Sequence, residues 1–267
     1  MTSRNARGTG YRVRRAELWR FVCSVPMNMS AYPLIVIWTL VCILCFPIVF
    51  SFWRIVLGWE GDRTMRLFVW LYGRGWLVIM SPFVRFKRMG FDKRNISPPY
   101  IIVVNHRSFF DFWCMALLPF SNVAAALRSW PFKMFWFAPF MRLARYLDVE
   151  SLGWTGCLSS GAEILKKSGV VLFFPEGHRS RDGKLQRFYF GPFKLSEETG
   201  INILPLCLTG TDVLLPPGHW WMMPAKICLK ALTPIDPKDF GRTLSHITLQ
   251  KHTKAMIAQG LEELRKA

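Results

Sequence analysis

One histidine and one aspartate stand five positions apart, where a predicted strand gives way to a predicted helix. Residues 101–104 are β-branched and predict a buried strand that ends at Asn105. Ser108 then offers an N-cap for the helix that follows. On one continuous helix His106 and Asp111 would be rotated about 140° from each other, so they meet only if His106 lies in the loop before the cap. In that geometry the carboxylate holds one ring nitrogen and leaves the other free to take a proton from a hydroxyl.

The same residues also have a purely structural interpretation. The spacing of Ser108 and Asp111 fits an N-terminal capping box with Asp in place of Glu. His106 would then simply bond the backbone. These residues alone do not decide between a capped helix and a catalytic pair.

A second stretch favours the catalytic interpretation. Residues 170–180 read VVLFFPEGHRS and predict a strand followed by a polar turn. Together, Asn-His-(four residues)-Asp and Phe-Pro-Glu-Gly-x-Arg-Ser resemble the ordered signature of the glycerolipid acyltransferase family, whose type member acylates 1-acylglycerol-3-phosphate. The resemblance covers residues 98–237. It implies a lysolipid acceptor, a fatty acyl thioester on coenzyme A or acyl carrier protein as co-substrate, and no cofactor.

The resemblance also assigns residues to substrate binding. Glu176, Gly177 and Arg179 belong to the acceptor site, and the planar guanidinium of Arg179 suits a phosphate. Glu176 either bonds acceptor hydroxyls or makes a structural bond within its loop. Asn105 and Ser108 are placed with the substrate-binding residues as members of the first motif. Backbone amides at the Ser108 helix start are candidate oxyanion donors.

The chain departs from the family pattern between the two motifs. Family members have a glycine, an apolar run and a closing arginine that helps bind the acceptor phosphate. Here the glycine is missing and Glu150 stands near the arginine position. Lys133, Arg142 or Arg145 then supplies the missing charge, or the acceptor headgroup differs from that of lysophosphatidic acid.

Basic residues after the second motif are candidates for binding coenzyme A phosphates or acyl carrier protein: Arg181, Lys184, Arg187 and Lys194.

The composition favours a membrane surface, and not a nucleic acid, as partner. The chain of 267 residues is 51% hydrophobic, yet it has 35 Lys and Arg against 17 Asp and Glu. A basic and apolar chain suits anionic lipid, whereas nucleic-acid binders combine basic charge with a more polar surface. The 7 cysteines form neither a metal-ligand set nor a closed disulfide framework, which fits a reducing cytoplasmic setting.

The N-terminal part predicts membrane attachment. A basic arm, residues 1–33, precedes two apolar stretches within residues 34–84, the first just long enough to span a bilayer. Pro47 is expected to break or bend the first stretch, and Arg74 interrupts the second at a cost in the bilayer centre. We therefore expect a membrane-embedded helix pair that either dips into the cytoplasmic leaflet or crosses as an in–out hairpin, with both ends on the cytoplasmic face. Two buried core helices are the alternative.

The remaining chain, residues 85–267, predicts an α/β domain: a mixed twisted sheet covered by helices. Its basic start, residues 85–94, is expected near the lipid headgroups. The loop at residues 214–224 is too apolar for an ordinary solvent loop. It is expected either at the membrane interface, with Trp220 and Trp221 at headgroup depth, or packed against the N-terminal helices.

These observations predict acyl transfer from a thioester to a lysolipid hydroxyl, with His106 as general base and Asp111 holding its tautomer. No covalent intermediate is expected, because no Ser or Cys lies in a nucleophile elbow. Two other functions are compatible with the same residues. One is a His-dependent hydrolase of a phosphoester or thioester, and the other is a catalytically silent membrane-binding module.

Overall fold

Two helices form the N-terminal part. The computed structural model describes residues 3–91, 96–135, 137–180, 182–241 and 245–266, and only the backbone of residues 3–19. Helix α1 (Ser3–Val56) runs through Pro47 without interruption, so of the two predicted effects of this proline the break does not occur. The boundary predicted between residues 33 and 34 falls inside this one helix. Helix α2 (Gly61–Met80) packs against α1.

Among the described helices, α1 alone is long and apolar enough to span a membrane. Its segment Arg20–Val56 reaches a mean hydropathy of 2.7 over a stretch that is only 6% buried. Helix α2 instead packs one face on the α/β domain. A Cβ added to Gly73 would stand 2.8 Å from the Cβ of Ala116, and the rings of Trp76 and Phe110 lie 4.6 Å apart. The second member of the predicted pair is therefore partly covered by protein.

Seven strands form one sheet in the order β1-β7-β6-β2-β5-β3-β4. They are β1 (Val84–Met89), β2 (Tyr100–Val104), β3 (Val123–Leu127), β4 (Leu147–Asp148), β5 (Val170–Phe173), β6 (Ile203–Thr209) and β7 (Ala225–Ala231). Every neighbouring pair is parallel except β6 with β7. The mixed sheet predicted from the sequence is confirmed.

The strand directions define one edge of this sheet. Because β2, β3, β5 and β6 run parallel, their carboxyl ends meet at the same edge, called here the carboxyl edge. Strand β7 runs antiparallel to β6, and β1 runs parallel to β7. The amino ends of β1 and β7 therefore also lie at the carboxyl edge.

The helices that follow the N-terminal pair are mostly short. They are α3 (Asp111–Cys114), α4 (Ala138–Leu143), α5 (Gly153–Lys166), α6 (Gly191–Thr199), α7 (Thr211–Leu214) and α8 (Ser245–Lys266). Three further segments are 3-10 helices: Met115–Leu117, Trp130–Lys133 and Pro237–Phe240.

Two hydrophobic cores lie on opposite faces of the sheet. Alternate side chains of a strand point to opposite faces, so Ile102 and Val104 join the core beneath α1 and α2, called here the helix-pair face. Ile101 and Val103 join the second core, beneath α5, α6 and α8, called here the α8 face. Strand β2 is buried on both faces, which is why it reads as a continuous apolar run.

The basic start of the domain is strand β1, which the sequence analysis did not predict. Val84 and Phe86 pack into the core of the helix-pair face. Arg85 and Lys87 point the other way and are exposed, so they are turned away from α1 and α2. Residues 92–95, which include two of the predicted headgroup contacts, lie outside the described residues.

The apolar loop at residues 214–224 packs against α1. Met222 is buried; its N–H donates to Oδ1 of Asn28 at 2.9 Å, and its carbonyl accepts from Nδ2 of Asn28 at 2.8 Å. Nε1 of Trp221 donates to Oγ of Ser24 at 2.9 Å. Trp220 is 73% exposed. Of the two alternatives for this loop, packing on the N-terminal helices describes Trp221 and Met222, whereas Gly218, His219 and Trp220 are exposed.

Candidate active site

His106 and Asp111 are in contact at the carboxyl edge. His106 lies in the loop after β2, and Asp111 is the first residue of α3. Nδ1 of His106 stands 2.7 Å from Oδ2 of Asp111. Since an ionised carboxylate only accepts hydrogen bonds, Nδ1 carries the proton and Nε2 keeps its lone pair. The imidazole side chain is 20% exposed, whereas Asp111 is buried, so a substrate can reach the ring but not the carboxylate.

The Asp111 carboxylate also organises the loop around it. Oδ2 accepts from the backbone amides of Arg107 at 2.5 Å and Ser108 at 2.9 Å, in addition to His106. The bond from the Ser108 amide is the half of a capping box in which the acidic side chain reaches back to the amide of the N-cap residue. Because Asp111 already accepts from both amides, neither is free to act as an oxyanion donor.

Ser108 does not cap a helix as predicted. Helix α3 begins at Asp111 after Phe110, which makes no side-chain cap. The buried hydroxyl of Ser108 donates to the carbonyl of Leu215 at 2.9 Å. This bond ties the His106 loop to the loop that packs on α1.

Two of the predicted substrate-binding residues, Asn105 and Glu176, form hydrogen bonds with the protein backbone. The side-chain amide of Asn105 donates from Nδ2 to the Leu208 carbonyl at 2.9 Å and accepts at Oδ1 from the Leu208 N–H at 2.8 Å, which fastens the end of β2 to β6. Glu176 accepts from the amides of His106 and Gln186, each at 2.7 Å. The geometry of Glu176 is therefore that of the structural alternative. Burial raises the pKa of Glu176, and the two amide hydrogen bonds oppose that increase.

The second motif brings Ser180, the residue after Arg179, into contact with the backbone of His106. The amide of Ser180 donates to the carbonyl of His106 at 2.9 Å, and the side chain of the preceding Arg179 is exposed. Gly177 has a φ of 69°, a conformation that favours glycine. A Cβ there would stand 2.7 Å from the Tyr189 ring, so the Tyr189 side chain packs closely against the Gly177 backbone.

The three predicted replacements for the missing arginine occupy different environments. Lys133 and Arg142 are exposed, and among the described residues no hydrogen bond joins Lys133 to His106 or Asp111. Arg145 pairs with both oxygens of Glu163, at 2.8 and 2.9 Å. Glu150, near the arginine position, accepts from Nε of Arg128 at 2.6 Å.

Of the predicted donor-binding residues, Lys184 and Arg187 are exposed, Lys194 is half-buried, and Arg181 lies outside the described residues.

Two residues of the site were not predicted. Arg107 is buried and donates to the carbonyl of Gly183 at 2.7 Å, which fixes the turn that follows the second motif. The ring of Phe174 packs on His106 with centroids 4.4 Å apart. Both lie inside the quoted motifs, so their positions were available from the sequence. Their contacts were not, because they depend on how β2 and β5 pair.

Comparisons with known proteins agree with this arrangement. Residues 76–209 match the family model described as Acyltransferase. A chloroplastic 1-acyl-sn-glycerol-3-phosphate acyltransferase of Brassica napus is 30% identical over 167 residues, covering 59% of this chain and 47% of the relative. A 1-acyl-sn-glycerol-3-phosphate acyltransferase of Limnanthes douglasii is 29% identical over 229 residues, covering 82% of this chain and 74% of the relative. The corresponding chloroplastic enzyme of Arabidopsis thaliana is 30% identical, with 59% of this chain and 45% of the relative covered.

A crystal structure with a similar fold has been solved. The crystal structure of the 1-acyl-sn-glycerophosphate acyltransferase PlsC from Thermotoga maritima superposes with a TM-score of 0.72 at 22% identity, over 94% of this chain and 98% of that one. This likeness supports the fold.

The chain spans about half the length of the first two chloroplastic relatives, 47% and 45%. The match to the family model includes both motifs and extends over half of the chain, and on this ground the chain belongs to the Acyltransferase family.

Proposed function

We propose that this protein transfers a fatty acyl group from a thioester to the free hydroxyl of 1-acylglycerol-3-phosphate at a membrane surface. Family membership and the activity for which the relatives are named support the reaction and the acceptor. The observation that carries the proposal is the bond between Nδ1 of His106 and the buried Asp111, 2.7 Å long, on an imidazole that solvent can reach.

The chemistry follows from that bond. Nε2 of His106 takes the proton of the acceptor hydroxyl while its oxygen attacks the thioester carbonyl, and Asp111 stabilises the imidazolium that forms. When the tetrahedral intermediate collapses, the carbon–sulfur bond breaks and the thiolate takes the proton from His106. The products are an ester and a free thiol. Coenzyme A or acyl carrier protein supplies the thioester as co-substrate.

The acceptor is oriented by its phosphate in this proposal. Arg179 is exposed beside the residue that bonds the His106 backbone, and its guanidinium can hold a phosphate through two hydrogen bonds. Glu176 contributes indirectly, since its carboxylate fixes the His106 amide. Helix α1 supplies the membrane attachment and, in this proposal, keeps the site next to the bilayer that holds the lysolipid.

A His106→Ala variant tests the proposal. It is expected to lower acyl transfer from acyl-CoA or acyl carrier protein to 1-acylglycerol-3-phosphate by about 100-fold or more, because general-base assistance is lost. The assay uses the full chain in mixed micelles and identifies products by mass. His252→Ala is the matched control, because His252 is an exposed histidine on α8.

Two results would contradict the proposal. Near-normal transfer by His106→Ala would remove this residue as the base. Release of free fatty acid at the same rate with and without lysolipid would identify a hydrolase instead of a transferase.

A further inference from the structure

Four basic side chains lie together on the outer part of the α8 face. They are Arg85 and Lys87 on β1, and Lys226 and Lys230 on β7, and they are called here the basic ledge. The alternate residues of both strands, among them Val84 and Ile227, are buried in the core of the helix-pair face. The first three basic side chains are exposed. Helix α8 lies over β6, where a Cβ added to Gly260 would stand 2.7 Å from Cys207, and it reaches β7 through the ion pair of Glu263 with Lys230.

The charges of the ledge are arranged in a way that opposes folding. Arg85 lies directly opposite Lys226 in the register of β1 and β7. Like charges directly opposite each other on neighbouring strands are destabilising. Only Lys230 has a carboxylate partner among the described residues, Glu263 at 2.7 Å. A solvated surface explains the exposure of these side chains but gives no reason for gathering one sign of charge across two strands.

The ledge reaches the carboxyl edge of the sheet. Gly210 directly follows β6, and a Cβ on it would stand 2.0 Å from the carbonyl oxygen of Lys226. Leu208, two residues earlier, bonds Asn105 beside His106. Strand β7 is two strand spacings from β2, or about 10 Å. A ligand seated on the ledge is therefore close enough for a flexible arm to reach His106.

We infer that the basic ledge docks the acidic surface of the carrier protein that delivers the acyl thioester. This inference rests on the proposed function and names the donor partner of that site. One observation favours a protein over anionic lipid. The ledge is on the face opposite α1 and α2, so a bilayer that takes up α1 lies on the other side of the sheet.

The test neutralises the three exposed members in one variant, Arg85→Gln/Lys87→Gln/Lys226→Gln. The KM for acyl carrier protein thioester is expected to rise about tenfold, because complementary charge chiefly raises the rate of association. The KM for acyl-CoA of the same chain length and the kcat for both donors are expected to stay unchanged. The matched control is Lys166→Gln/Lys238→Gln/Lys251→Gln, which removes the same charge from exposed positions elsewhere in the domain.

Direct binding provides a second readout. Holo-acyl carrier protein is expected to bind the wild type with an affinity that falls steeply with salt, and to bind the variant weakly at every salt concentration. Thermal unfolding of the variant is expected at the same temperature as the wild type or higher, since a repulsive pair is removed. Loss of folding therefore cannot imitate loss of docking.

Each other result overturns the inference. Failure of the wild type to bind acyl carrier protein removes the partner. An equal rise in KM for acyl-CoA identifies a site for donor phosphates, and a loss of binding to phosphatidylglycerol vesicles with unchanged carrier kinetics identifies a lipid contact. If the wild type transferred acyl groups from neither donor, the proposed function would fail, and the carrier-binding measurement would still decide the docking question.

Discussion

Glu176 holds the candidate base through its backbone amide. Its two oxygens accept from the amides of His106 and Gln186. Glu176→Gln supplies one acceptor where two are needed, so one buried amide loses its partner. We expect the free energy of unfolding to fall by about 1–3 kcal/mol and kcat to fall with little change in the KM for lysolipid. Denaturant unfolding and steady-state kinetics measure both.

Glu163→Gln is the control for this change, because Glu163 pairs with Arg145 on the surface and its loss is expected to leave stability nearly unchanged. A raised KM for the acceptor with unaltered stability would instead show that Glu176 binds the acceptor hydroxyls directly. The two outcomes separate the alternatives that the sequence left open.

At the residue scale, the sequence predicted the pairing of His106 with Asp111 but not the hydrogen-bond partners of the other residues in the site. The pairing of His106 with Asp111 followed from their spacing and the strand end before them. The partners of Asn105 and Glu176 did not, because each bonds a backbone group that the sheet brings near from a distant part of the chain. A motif carries no information about whether a polar side chain faces a ligand or a neighbouring strand.

At the element scale, the contact between α1 and the loop at residues 214–224 links the N-terminal helix to the site. Asn28→Ala would leave the buried N–H and carbonyl of Met222 without their partners. We expect a loss of about 1–3 kcal/mol and faster hydrogen exchange at the Met222 amide. Ser30→Ala is the control, since Ser30 bonds only within α1. Unchanged exchange in this loop would mean that other contacts hold it in place.

Strand β1 is an element that the sequence signalled and that was nevertheless missed. The apolar residues Val84 and Phe86 alternate with the basic residues Arg85 and Lys87, as expected of a half-buried strand. The position just after an apolar helix favoured headgroup contact instead, and the pairing partner β7 lies far along the chain. Strands β2 and β5 were predicted because buried parallel strands read as apolar runs that need no knowledge of their neighbours.

At the scale of the whole molecule, the sheet separates two surfaces. The helix-pair face carries α1, whose outer side chains are strongly exposed, and the α8 face carries the basic ledge near the carboxyl edge. This division gives a physical reason why the composition is both basic and apolar. The apolar excess lies largely on α1, and part of the positive charge lies on the other side of the sheet.

The exposed side of α1 therefore predicts membrane binding. Leu44 and Ile48 are 75% and 74% exposed, and an Asp at the centre of a spanning helix costs about 2.5–3.5 kcal/mol. Leu44→Asp/Ile48→Asp is expected to move the protein from the membrane fraction to the soluble fraction in vesicle sedimentation. Leu152→Asp/Ile247→Asp, which alters two exposed apolar residues of the α/β domain, is expected to stay bound. Equal sedimentation of both variants would show that α1 is not the anchor, and the bilayer would then have to contact another surface of the domain.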